Sequence, residues 1–241
     1  MAQPKELIKI EPIKKKLIQV RIVGDSPLIT HNWDVKAQRE ILEKEMGIKK
    51  VQKMKKNPYE DFASSAYWLE KMPDPVTKES LDEAIANGAR FGFPLTGVKQ
   101  AAISAAYRMG WSKDKMSLRG AFFIEPEVDG YWSGDLEISE DQKQIDIIPN
   151  VFHNEPMIEI HYERLTMRRD MVKVGMGSAD IRYRAEFDNW YADMTISFNE
   201  NGDKSIDQIM TMINAGGYIC GLGEWRPERD GQYGMFHVDG V

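Results

Sequence analysis

The chain has 241 residues, with 32 lysines and arginines against 38 aspartates and glutamates and a formal net charge of −6. That balance excludes a protein that coats nucleic acid through bulk electrostatics, while leaving room for a local basic groove. The aromatic and aliphatic content excludes a disordered chain, and apolar runs of only a few residues predict neither a membrane-spanning helix nor a signal peptide, hence a cytosolic protein.

Residues 16–23, KLIQVRIV, alternate in strand fashion and stop at GDSP. From Asp34, a candidate N-cap, the sequence turns helical with Val35, Ile41, Leu42 and Met46 apolar, and Gly47 is a point of interruption. NPYEDFASSAYWLEKM predicts a second amphipathic helix carrying Phe62, Ala66, Tyr67 and Leu69, closed by Pro73 and Pro75. In FPLTGVKQAAISAAYR, Pro94 marks a helix start with Thr96 as its N-cap, and the small residues from Val98 to Met109 suit close burial.

Further on, LRGAFFIEP reads as a strand and DGYWSGDLEIS as an acidic hairpin. PMIEIHYERLT and ADIRYRAEFDNWYADMTISFN read as two long strands. Ser205 caps a helix with Ile206, Ile209, Met210 and Ile213 on one face and Gly216 as its terminating glycine, and YGMFHV closes the chain as a strand. This mixture predicts an α+β architecture in one domain, 1–241, with residues 34–90 forming a helical insertion.

The stretch GGYICGLGEWRPERDGQYGMFHV carries six glycines. It follows a helix and precedes a strand, so no helix N-terminus is there to receive a phosphate, and a mononucleotide loop is not expected. Trp225, Arg226 and Arg229 would project from it, either to pair with Glu224 and Glu228 or to meet a ligand. A second cluster places Arg164, Arg168, Arg169, Lys173, Arg182 and Arg184 on two adjacent strands, with Arg182 and Arg184 on one face. Such a face binds phosphates bidentately, or is neutralised by Glu163, Asp170 and Asp180. The run KKVQKMKK reads as a solvated helix end.

Catalytic patterns are weak. His31, His153, His161 and His237 lack metal-ligand spacing, Ser104 and Ser117 lack a nucleophile turn, and Cys220, the only cysteine, reads as a small buried apolar residue. His31, beside Asn32 and Trp33, is the best lone candidate for a polar site. No cofactor and no metal are expected.

The initial strand with SPLITHNW, the segment from Pro94 to Arg108, and the final helix, glycine-rich turn and strand together resemble the RAMP superfamily. These are RRM-like proteins that include the crRNA-binding backbone subunits of CRISPR effector complexes. FPLTGVKQAA and GEWRPERDGQYG also resemble segments of phage and prophage proteins, which would place the chain in the host cytoplasm. The resemblance covers under half of the chain. It implies a ferredoxin-like (RRM-like) antiparallel core and a non-catalytic binder of single-stranded nucleic acid, RNA ahead of DNA, assembled as a homo-oligomer or filament. The implied contacts are Arg168, Arg169, Lys173, Arg182 and Arg184 on phosphates, Lys99 and Arg108 at the helix, and Trp225, Arg226 and Arg229 at the turn. The rival readings are a phage assembly protein whose arginines form subunit contacts and a metal-dependent nuclease.

Overall fold

The computed structural model describes residues 12–48, 55–174 and 177–240. The lysine-rich run at 49–56 lies outside these except for Lys55 and Lys56.

Strand β1 (Lys15–Gly24) buries Val20 and Ile22 and turns Leu17, Gln19 and Arg21 outward, as its alternation predicts. It pairs antiparallel with β11 (Tyr191–Asn199) on one side and β12 (Phe236–Val238) on the other. β11 also pairs antiparallel with β5 (Phe122–Glu125), giving the order β12-β1-β11-β5. Two helices pack closely beside this sheet: α4 (Leu95–Arg108), with Val98, Ala101, Ala102, Ala105 and Ala106 buried, and α6 (Ile206–Ile219), with Ile209, Met212 and Ile213 buried.

A second sheet has the order β2-β10-β9, from β2 (Leu28–Ile29), β9 (Arg164–Val174) and β10 (Ser178–Asp188). A third runs β7-β6-β3-β4-β8, from β3 (Tyr67–Trp68), β4 (Phe91–Pro94), β6 (Tyr131–Ile138), β7 (Ile145–His153) and β8 (Met157–Ile160). Helices α1 (Val35–Glu45), α2 (Pro58–Ser65), α3 (Lys78–Ala86) and the short α5 (Met116–Arg119) complete an α+β fold with antiparallel sheets. No helix among the described residues is long and apolar enough to cross a membrane.

Several boundaries differ from the sequence reading, each for a physical reason. The second helix ends at Ser65, and Tyr67–Trp68 form a strand, because Trp68 is buried with its indole on Ala63 O at 2.8 Å and its ring 4.6 Å from Phe91. Within 34–90 the described residues form α1, α2 and α3 together with the two-residue strand β3, which belongs to the third sheet. Thr96 lies inside α4: Pro94 occupies the N-cap, and the Leu95 amide is already taken by Pro156 O. The run from 179 to 199 is two strands, divided where Asn189 adopts a φ of 47°. PMIEIHYERLT likewise divides into β8 and the start of β9. Gly216 is interior to α6, and the helix closes at Cys220 followed by Gly221 with a φ of 66°. Asp34 and Ser205 cap α1 and α6 as expected, Ser205 with Gln208 in a reciprocal capping box.

Candidate functional site

The two motifs singled out in the sequence meet in space. The glycine-rich segment after α6 crosses β2, where the Glu224 amide donates to Ile29 O at 2.8 Å. Gly223 makes that crossing possible: its φ is 69°, and a Cβ there would stand 2.2 Å from Ile29 O. Beyond it the loop lies over one face of the β9–β10 hairpin.

On that face Arg168 and Arg184 are cross-strand partners, and so are Asp170 and Arg182. Asp170 accepts from Arg168 Nε at 2.8 Å, from Arg184 Nη1 at 3.2 Å and from the Trp225 indole at 3.1 Å. Arg168 also donates to Glu186 at 2.5 Å and lies 4.5 Å over the Tyr233 ring. Burial opposes its charge, but the hydrogen bonds to Glu186, Tyr233 and Asp170 outweigh burial and raise its pKa. Arg184 is only 5 % exposed, has Glu224 at 3.6 Å as a second carboxylate, and its Nε has no hydrogen-bond partner among the described residues. Arg182 pairs with Asp180 at 3.4 Å, Arg226 with Glu228 at 3.1 Å, and Arg108 with Glu228 at 2.9 Å.

Most of the expected phosphate contacts are thus engaged within the chain. Arg168 and Arg184 hold the loop to the hairpin, and Trp225 is fastened by its indole instead of projecting freely. Lys99, Arg169, Lys173 and Arg229 differ, because among the described residues none of them has a carboxylate partner; the last three are exposed.

Lys99 stands on α4 with its ammonium 3.9 Å above the Phe123 ring and 5.8 Å from Phe122. Burial lowers its pKa. Phe123 itself is 55 % exposed. Two turns along the same helix, Tyr107 is exposed beneath Lys115, whose ammonium is 5.6 Å from the ring and bonded to Ser104 at 3.1 Å. Met109, Trp111 and Met116, close by in sequence, are exposed as well. Phe123, Tyr107 and Lys115 were not legible as site residues, since the ring that Lys99 covers is 24 positions away in sequence.

His31 is partly buried, and its pKa is lowered by burial first and then by Arg184. The native state resists a proton that the unfolded chain accepts near pH 6.5, so His31 lowers stability as the pH falls below that value. Urea midpoints should therefore decrease between about pH 7 and pH 5.5, with a shallower slope in His31→Asn. An unchanged slope in that variant would remove His31 as the cause. Among the described residues, no group of three or more His, Cys, Asp or Glu side chains is placed to hold a metal ion.

No protein-family model matches the chain, and no curated protein matches it.

Proposed function

We propose that this protein binds single-stranded nucleic acid without catalysis, RNA ahead of DNA, through the exposed face of α4, α5 and β5. The observation that carries this reading is Lys99 over the half-exposed Phe123 ring, with no carboxylate partner among the described residues. Lys115 over Tyr107 repeats the arrangement along α4. Cations beside open aromatic rings are what a single strand needs, the charge for its phosphates and the rings for its bases. Arg169 and Lys173 on β9 and Arg229 on the C-terminal loop are further exposed cations with no carboxylate partner among the described residues, whereas Arg168 and Arg184 serve the fold.

The core is read as ferredoxin-like. The order β12-β1-β11-β5, with α4 leading from the first strand to the edge strand and α6 joining β11 to β12, supports that reading. Assembly as a homo-oligomer is part of the proposal, with the exposed acidic residues Asp135, Glu137, Glu140, Asp141 and Asp146 of the β6–β7 hairpin available to meet a basic surface of a neighbour.

Fluorescence anisotropy with labelled oligonucleotides over a salt series tests the binding. Each phosphate contact on a single strand contributes about 0.7 to the slope of log K against log salt. Lys99→Ala combined with Lys115→Ala should therefore reduce the slope by about 1.4 and weaken binding at low salt. No binding by the wild type at about 50 mM salt, or a double variant that binds like it, would sink the proposal.

A further inference from the structure

A groove of about 590 Å³ opens where the end of α3, the end of β8, the start of β9 and the start of β11 converge. It is separate from the Lys99 surface and shares no lining residue with it. One wall is a stack. Tyr191 has β1 on one side of its strand and His161 on the other, joined to it by reciprocal backbone hydrogen bonds of 2.9 Å. From the β1 side Arg21 lies 4.3 Å over the Tyr191 ring; from the other side His161 stacks on it at 4.7 Å with an interplanar angle of 20°. The order is guanidinium, phenol ring, imidazole, and the imidazole forms part of the groove wall.

Around the groove the carboxylates Glu159, Glu163 and Asp188 outnumber the guanidiniums Arg90 and Arg164. Arg90 is held by Glu159 through two bonds, at 2.8 and 2.5 Å, and Arg164 by Asp188 at 2.6 Å, while Glu163 accepts from Asn189. Two guanidiniums facing two or more carboxylates do not make an anion trap. The ligand class that fits is a flat, neutral ring with both donor and acceptor edges. The volume suits a ligand of that size. Pinned guanidinium and carboxylate edges can each satisfy one of its polar groups.

We infer that this groove is a nucleobase site, in which the base continues the stack on His161. The base can belong to a free nucleoside or nucleotide, or to an unstacked position of a bound strand. Arg164, whose side chain is 70 % exposed, stands where an attached phosphate would meet solvent. The inference does not rest on strand binding by the Lys99 surface.

The test follows the His161 imidazole by NMR while adenosine, uridine, adenosine 5′-monophosphate or a short oligonucleotide is added to the full chain. A base site predicts saturable shifts of this ring that survive high salt, because stacking carries no counterion release. Affinities of the variants are read by isothermal titration calorimetry with the same ligands: His161→Ala should weaken binding about tenfold, the typical worth of one stacked base, while His161→Phe keeps the platform and retains most of the affinity. Response to the nucleosides identifies a free base as sufficient, and response to the oligonucleotide alone identifies the strand as the source; either supports the site. If neither moves the His161 ring, or if His161→Ala binds as tightly as the wild type, the inference is overturned. That result would leave strand binding at Lys99 to be judged by its own salt slope.

Discussion

Asp170→Ala is expected to lower the unfolding free energy by about 3–5 kcal/mol, the typical effect of stripping one partner from a buried ion pair. Asp170 is under a tenth exposed and is the common acceptor for Arg168, Arg184 and the Trp225 indole. Without it, Arg184 keeps only Glu224 at 3.6 Å and already has one unpartnered nitrogen. The loss is that of leaving a guanidinium out of water, so removing both charges should be far milder. Asp170→Leu with Arg184→Met is expected to recover most of the stability. Asp193→Ala breaks an equally well-formed pair with Arg21, at 2.7 Å, but both groups are nearly half exposed, so that change should leave the unfolding midpoint close to that of the wild type. Denaturant titration with tryptophan emission reads both quantities. An Asp170→Ala protein within about 0.5 kcal/mol of the wild type would mean that the network is open to solvent. Arg168 and Arg184 would then return as phosphate contacts.

That alternative shows where the sequence was legible and where it was not. Periods and caps are local, and they located β1, the start of α1 at Asp34 and the start of α6 at Ser205 correctly. Breaks inside patterned runs were not visible. The apolar spacing through Phe62, Ala66 and Tyr67 satisfies a helical period, yet burial of Trp68 against Phe91 pulls the chain into a strand. Asn189 turns the chain within a run whose alternation looks continuous on both sides.

The arginine cluster illustrates the same limit at the candidate site. Alternation placed Arg182 and Arg184 on one face, and they do share it, but their fates differ because the glycine-rich loop reaches only the second. The Arg182 side chain is 40 % exposed and the Arg184 side chain 6 %. The two carboxylates that hold Arg184 are 14 and 40 residues distant in sequence, one on the partner strand and one on the loop. Pairing with Asp170 could be entertained from the sequence; choosing it over phosphate binding required the strand register and the path of residues 221–235. Lys99 gave no such signal, since what distinguishes it is an exposed ring on β5 and the lack of a carboxylate partner among the described residues.

The second large effect is expected at Gly217. Replacing it with alanine should destabilise the protein by about 3 kcal/mol, even though alanine in a helix interior is about 1 kcal/mol better than glycine by intrinsic propensity. Sterics decide between the two. A Cβ at 217 would stand 1.9 Å from the carbonyl oxygen of Phe236 and 2.7 Å from its carbonyl carbon, and backbone in a paired strand cannot rotate away as a side chain can. Phe236 is buried and paired with Gly24, so α6 would have to leave β12 or pull β12 from β1. The neighbouring Gly216 plays the same part toward the other helix, where a Cβ would come within 2.7 Å of the Ala102 amide nitrogen. These two positions seat α6 between the edge strand and α4, and α4 carries Lys99 and Tyr107 on its exposed side. Gly217→Ala should therefore reduce the denaturation midpoint strongly, while Gly216→Ala should also shift α4 and weaken oligonucleotide binding in the fraction that remains folded. Gly88→Ala is the control: its φ is 84° but nothing lies within 4 Å of the methyl that alanine would add, so only the left-handed backbone penalty of about 1 kcal/mol is expected. If Gly217→Ala were as stable as that control, the close contact between α6 and β12 would not be holding the sheet edge.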